Sequence, residues 1–193
     1  DLTQFRCWYS QAGTPIISVK GDYNEKDQSY TLSVEQNCPP TPGQAKKENF
    51  YIPFEVALLD QQGRVVEDKV LTISESHQNF VFENIAEKPV PSLLRSFSAP
   101  VKMDFDYSRD ELMFLISHDS DGFVRWEAAQ QLSLQIIEEL LKQRKNNSAM
   151  TIDQRLIQAM ESILNVALTD RSADLAVLAR LLVLPSEAYI GEL

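Results

Sequence analysis

Lys102-Met103-Asp104-Phe105-Asp106-Tyr107-Ser108-Arg109-Asp110-Glu111-Leu112 is where this chain changes its period. Up to Phe105, apolar and acidic residues alternate with period 2, as on a half-buried strand whose Asp104 and Asp106 face water. From Ser108 the pattern becomes helical. Ser108 and Glu111 form a capping box, in which the Ser side chain takes the N3 amide and the Glu side chain returns to the N-cap amide. A helix then runs through Leu112–Ser117. Two architectures, β then α, meet near Phe105–Ser108.

Upstream of this junction the signals are those of strands. Ile16–Val19 and Tyr30–Val34 are β-branched or alternating, and Gly21–Asn24 with Glu25–Gln28 reads as the polar turn between them. Asn37–Gly43 carries three prolines and a glycine and is a loop. Phe50–Leu59 is an apolar strand, Asp60–Gly63 a tight turn, and Val65–Ile73, Asn79–Phe82 and Leu93–Phe97 complete the set. Short strands at regular spacing, with no helix between them, predict an antiparallel Ig-like β-sandwich.

Downstream, a helix is expected from about Phe123 to Gln143, with Ala129, Leu132, Ile136 and Leu140 on one stripe. Leu134, Ile137 and Leu141 widen that stripe, which predicts a largely buried helix. Lys142–Ser148 is a polar linker. Thr151-Ile152-Asp153-Gln154 reads as a second capping box, ahead of a helix with Leu156, Met160, Ile163 and Ala167 in phase. Ser172–Leu184 is apolar almost all round and Pro185 stops it. Successive hairpins of this kind predict a helical array.

Composition bounds the function. The 193 residues carry 44% apolar and 24% charged side chains, enough for a core of ordinary size. The net charge is −10, and residues 1–106 hold 10 basic and 15 acidic side chains against 8 and 13 in 107–193. No basic half is hidden by averaging, which argues against nucleic-acid and anionic-membrane partners. Cys7 and Cys38 suggest no disulfide framework and are expected as free thiols of a reducing compartment. Asp1–Tyr9 has neither a basic n-region nor an apolar h-region, and no run approaches the roughly 20 apolar residues of a membrane span. A soluble, cytoplasmic protein is the expectation. The helical spacing of Phe5 and Trp8 at one end, and the segment opening at Ser186–Leu193 at the other, read as cuts through a longer protein.

Each candidate site has a plainer reading. His77 and His118 stand 41 residues apart with no His or Cys at metal-ligand spacing. His77 is expected in a solvated turn and His118 at a helix C-terminus, where a cation is favoured. Cys7 lies beside Trp8 with no base nearby, so it is expected to pack rather than react. Asp104 with Asp106, and Glu138 with Glu139, read as wet faces of a strand and a helix. Phe123 and Trp126, at i, i+3 ahead of a leucine stripe, read as core. No catalytic, cofactor-binding or metal-binding residue is assigned.

Several of these stretches resemble one family. Phe5-Arg6-Cys7-Trp8-Tyr9-Ser10-Gln11-Ala12-Gly13-Thr14-Pro15 resembles the segment leaving the catalytic domain in zinc-dependent aminopeptidases of the aminopeptidase N type, which are gluzincins. Pro89–Lys102 and Asp121–Gln130 resemble the bacterial alanyl branch in particular, and the hairpin Leu58–Val65 matches in kind. In that family an N-terminal β domain is followed by a thermolysin-like catalytic domain, a β-sandwich and a large helical domain. The resemblance implies that residues 1–13 are the helical tail of the catalytic domain, 14–106 the sandwich and 107–193 the start of the C-terminal helical domain. It also implies zinc and peptide substrates in the parent enzyme, where a metal polarises the peptide carbonyl and a Glu activates the bound water. The motifs H-E-x-x-H and G-x-M-E-N are absent from this chain. The resemblance therefore implies a non-catalytic structural segment, with no cofactor of its own, whose partners are the remaining domains of the same polypeptide. Its apolar Ser172–Leu184 and Phe5–Trp8 segments would drive self-association if left uncovered. The alternative reading is a stand-alone β-sandwich that binds a peptide or protein and carries a helical appendage. An enzyme in its own right would need a convergent nucleophile, base or metal set, which the sequence lacks.

Overall fold

The computed structural model describes residues 2–191, and these divide into two compact units, Asp1–Asp106 and Tyr107–Leu193. The first unit begins with a four-residue helix α1 (Cys7–Ser10), followed by β1 (Ile16–Asn24), β2 (Ser29–Asn37), β3 (Ile52–Leu59), β4 (Val65–Ile73), β5 (His77–Phe82), β6 (Val90–Leu93) and β7 (Lys102–Asp104). They form two sheets, in the orders β5-β2-β1-β7 and β4-β3-β6. Every pairing is antiparallel except β1 with β7, which run parallel from Ile16 opposite Lys102.

Alternation builds the core of this sandwich. Tyr30, Leu32, Val34 and Gln36 of β2 are buried while the residues between them are not, so one face of the strand is dry. Ile17 and Val19 of β1 and Ile52, Phe54, Val56 and Leu58 of β3 supply the rest. Lys69 of β4 lies 5.2 Å over the ring of Phe82 of β5, a cation–π contact from one sheet to the other.

The strands depart from the sequence reading where backbone geometry or packing overrides propensity. Gly21–Asn24 belongs to β1, not to the turn, which is confined to Glu25–Gln28. Gly21 sits under the buried ring of Tyr30, and a Cβ there would overlap the Tyr30 hydroxyl. The glycine therefore serves a close approach rather than a bend. Strand β3 starts at Ile52, because the backbone of Phe50 is taken by the side chain of Gln36. Leu93–Phe97 is not a strand: β6 ends at Leu93, and Leu94, Ser96 and Phe97 adopt positive φ (56°, 56° and 49°) around a short 3-10 turn. The β3–β4 turn is locked by Asp60, whose carboxylate accepts from Gln62 N, Arg64 N and Arg64 Nε. Burial opposes ionisation of Asp60, but the N–H donors of Arg64 and Gln62 and the Arg64 charge outweigh it, and its carboxyl lies below the usual range.

The second unit holds α2 (Arg109–His118), α3 (Gly122–Lys145), α4 (Gln154–Thr169), α5 (Leu175–Leu181) and α6 (Glu187–Gly191). The first four start on an oxygen-bearing N-cap: Ser108, Asp121, Asp153 and Asp174. The box at Ser108 and Glu111 is complete in both directions. Ahead of α4 the cap is Asp153, accepting from Arg155 N, and not Thr151. A carboxylate one residue before the helix reaches the free amides that Thr151, two residues further out, does not. Leu112, Leu115 and Ile116 of α2 pack with Val124, Ala128, Leu132 and Ile136 of α3, spaced by four along one stripe. Ala159 and Ile163 of α4 and Leu178 and Leu181 of α5 complete this core. Arg125 of α3 donates to Ile116 O at 2.9 Å, near the end of α2.

Two helical expectations are corrected. α3 is longer than Phe123–Gln143, taking in part of the supposed linker, yet it is not largely buried. Leu134 and Ile137 are half-buried and Leu141 is 55% exposed, because the described neighbours cover one side only. The apolar run Ser172–Leu184 is helical only over Leu175–Leu181. Asp174 caps its start, and Leu182–Pro185 leave the helix.

Replacing Gly21 by Ala tests the close approach. Removing a glycine's chain entropy would stabilise by about 0.4–1 kcal/mol, but overpacking a buried aromatic costs about 1–3 kcal/mol. Urea unfolding is expected to show a net loss for Gly21→Ala.

Candidate functional site

The residues singled out from sequence do not converge. His77 opens β5 rather than sitting in a turn. It is exposed and pairs across the strands with Glu35, its Nε2 at 3.3 Å from Oε1. His118 ends α2 as expected, its ring stacked 4.6 Å from Phe114 and its Nδ1 3.1 Å from the Phe114 carbonyl. The two histidines belong to different units. Among the described residues no three His, Cys, Asp or Glu side chains gather in a way that could hold a metal ion. The donors present thus do not fit the zinc that the family resemblance implies. Cys7 and Cys38 are free thiols, Cys38 buried and Cys7 half-buried. Asp104 and Asp106 face water.

Two expectations fail here in an informative way. Phe123 and Trp126 are not core. Both are half-buried, 6.0 Å apart, and line a cleft of about 340 Å³ with Gly122, Val177 and Arg180. Glu139 is not simply a wet edge. It accepts from Arg109 at 2.6 Å, while its neighbour Glu138 reaches only the exposed Lys142, at 3.8 Å.

Arg109 is the centre of a charge network that sequence reasoning missed. Its Nη1 donates to Asp153 and its Nη2 to Glu139, both at 2.6 Å, so one guanidinium ties the starts of α2 and α4 to the body of α3. Arg155 joins Asp153 to Asp110. The Arg155 amide, then the guanidinium groups of Arg109 and Arg155, hold the Asp153 carboxyl below its usual range against the opposing effect of burial. The only local signal was Arg109 inside the capping box; its partners lie 30 and 44 residues away.

A second cleft of about 350 Å³ runs along the outward side of α3, lined by Leu134, Ile137, Leu141, Lys142 and Ile190. Exposed apolar side chains continue on α4 and α5, with Leu168 82% and Leu175 61% exposed. Among the described residues no helix is long and apolar enough to cross a membrane. The described residues thus present clefts and apolar faces.

Two family models match. Residues 13–106 match a domain of unknown function, DUF3458, with an Ig-like fold, and residues 109–193 match its companion DUF3458_C, with ARM repeats. Over its whole length the chain is 38% identical to aminopeptidase N of Escherichia coli (strain K12), and to that of Haemophilus influenzae, while spanning 23% of each. Identity to aminopeptidase N of Caulobacter vibrioides is 36% over 97% of the chain and 21% of that relative. The crystal structure of Legionella pneumophila aminopeptidase A in complex with aspartic acid superposes with a TM-score of 0.81 at 32% identity, over 100% of this chain and 21% of that one. The chain thus spans about a quarter or less of the length of the relatives it matches.

Asp153→Asn separates charge from capping, since Asn caps a helix as well as Asp does. A carboxyl with a lowered folded pKa stabilises above its unfolded pKa of about 3.9 and loses that contribution as pH falls through the folded value. Asp153→Asn should therefore cost about 0.5–1 kcal/mol at pH 7. In denaturant titrations at successive pH values, the gap from wild type should close below about pH 4.

Proposed function

Because the chain belongs to the aminopeptidase N family, over its Ig-like and ARM-repeat domains, we propose that it is a non-catalytic structural segment of a cytoplasmic, zinc-dependent enzyme that removes N-terminal amino acids from peptides. The carrying observation is an asymmetry of coverage. Identity of 38% extends over all of this chain and only 23% of the relative, while the sequence holds neither H-E-x-x-H nor G-x-M-E-N. Metal and substrate chemistry then reside in the rest of that polypeptide, and the work of these residues is mechanical. The sandwich supplies a stiff spacer, two sheets pinned by buried aromatic and aliphatic side chains that cannot shear without opening voids. The helices supply the first layers of a stacked array, whose repeats each need a neighbour to finish burying their apolar faces.

The half-covered side of α3 supports this reading. Leu134, Ile137 and Leu141 form a second stripe on a helix whose first stripe, Val124 to Ile136, is already used. A helix apolar on two sides belongs between two layers. Further repeats of the same polypeptide are the proposed cover, and with each large side chain worth about 1.5–3 kcal/mol on burial, the isolated chain should find a substitute.

Two measurements test the proposal. Metal-stripped chain, offered zinc and aminoacyl amide substrates, should bind less than one equivalent tightly and give no turnover above a denatured control. Stoichiometric zinc or turnover would overturn it. Sedimentation should show concentration-dependent association of the isolated chain, relieved by Leu168→Glu or Leu141→Glu; a clean monomer at high concentration would speak against uncovered repeat faces.

A further inference from the structure

Residues 4–12 are held to the sandwich by a reciprocal set of side-chain bonds. Gln11 brackets Glu48, its Nε2 donating to Glu48 O at 3.0 Å and its Oε1 accepting from Glu48 N at 2.6 Å. These are the two hydrogen bonds that a strand would exchange with that residue. Gln44 answers from the other side, donating to Ser10 O and accepting from Ala12 N, both at 2.7 Å. Lys47 Nζ donates to Ala12 O at 2.8 Å. Gln4 Nε2 reaches the carbonyls of Asn49 and Ser74. Trp8 packs 4.6 Å from the buried ring of Phe50, tilted by 54°, and donates its indole N–H to Tyr51 O at 2.9 Å. Phe5, one helical turn before Trp8, is 41% exposed, and its ring meets that of Tyr9 edge-on at 6.1 Å.

We propose that residues 4–13 are a strap belonging to the sandwich, with Trp8 and Gln11 as its positioning residues, and that the strap rigidly couples the polypeptide at this end to β3. The contacts fall on consecutive residues 48, 49, 50 and 51, which lead directly into β3 at Ile52, and on Ser74 just after β4. A displacement of the strap is therefore delivered to the central strand of the three-stranded sheet and to its neighbour at once. Loose tethering through Gly13 alone would deliver nothing. This reassigns residues that the family match, which begins at 13, leaves outside the domain. It does not depend on the aminopeptidase reading.

Amide hydrogen exchange on the whole chain tests it. In wild type, the Ala12 amide of the strap, held by Gln44, and the Glu48 amide, held by Gln11, should be protected together. Trp8→Ala with Gln11→Glu should lower protection at both by tenfold or more, while Val19 and Leu32 in the β1–β2 pair keep theirs. That persistence separates release of the strap from unfolding. A chain lacking residues 1–13 should melt about 5 °C lower, and Tyr9→Ala, which removes an 84% exposed ring, should change nothing. The proposal is overturned if the strap exchanges freely in wild type, if the double variant leaves the Glu48 amide as protected as before, or if Tyr9→Ala acts as strongly as Trp8→Ala.

Discussion

Gln36 accepts from the N–H of Phe50 at 2.8 Å and donates to its carbonyl at 3.0 Å, and the organisation of one end of the sandwich follows from that pair. The side chain comes from the dry face of β2, where an unpaired amide would cost more than the bonds themselves are worth. It donates also to Glu75 O, so one buried group joins β2, the run into β3 and the β4–β5 connection. Gln78 repeats the device beside it, accepting from the amides of Ser74 and Glu75. Gln4, Gln11 and Gln44 extend it outward to the strap. A primary amide carries donor and acceptor at the spacing of a peptide group, so it can satisfy backbone where no strand is available. That is how this end of the fold closes without a further strand while pairing the carbonyls of residues 48–51 and the amides of Glu48 and Phe50.

The helical unit solves the corresponding problem with charge. Its helices leave unpaired amides at their starts, and Ser108, Asp121, Asp153 and Asp174 cover them. Asp153 does this while also receiving Arg109, so the cap of α4 and the start of α2 share one carboxylate. The apolar stripes set how closely α2, α3 and α4 pack, and the Arg109 network sets their register along one another. Neither alone would do so, since leucine stripes slide at small cost and exposed ion pairs are weak.

Both devices suit the proposed structural role of holding distances. The proposed spacer needs stiffness at the places where the rest of a polypeptide pulls on it, and side-chain-to-backbone bonds gather at the strap. The helical unit is tight on the α2 side of α3 and open on the other, as expected of the first layers of a stack. The residues that sequence reasoning weighed as sites, His77, His118 and the paired acids, lie at a strand end, at a helix end, in wet faces and in one interhelical bridge.

The order β then α, the capped helix start at Ser108, most strand locations and the apolar stripes were legible in the sequence, because periodicity and capping are written within a few neighbouring residues. Family membership was legible for the same reason, in contiguous stretches such as Pro89–Lys102 and Asp121–Gln130. What the sequence could not carry is pairing at a distance. That Gly21 makes room for Tyr30, that Gln36 takes Phe50 out of a strand, that Arg109 chooses Glu139 and Asp153, and that Trp8 turns toward Phe50 while Phe5 stays wet all depend on contacts 9 to 44 residues apart in the chain. Local propensity is indifferent to such contacts. Only the tertiary fold, which brings the partners together and removes the water that would otherwise satisfy them, makes those pairings decisive.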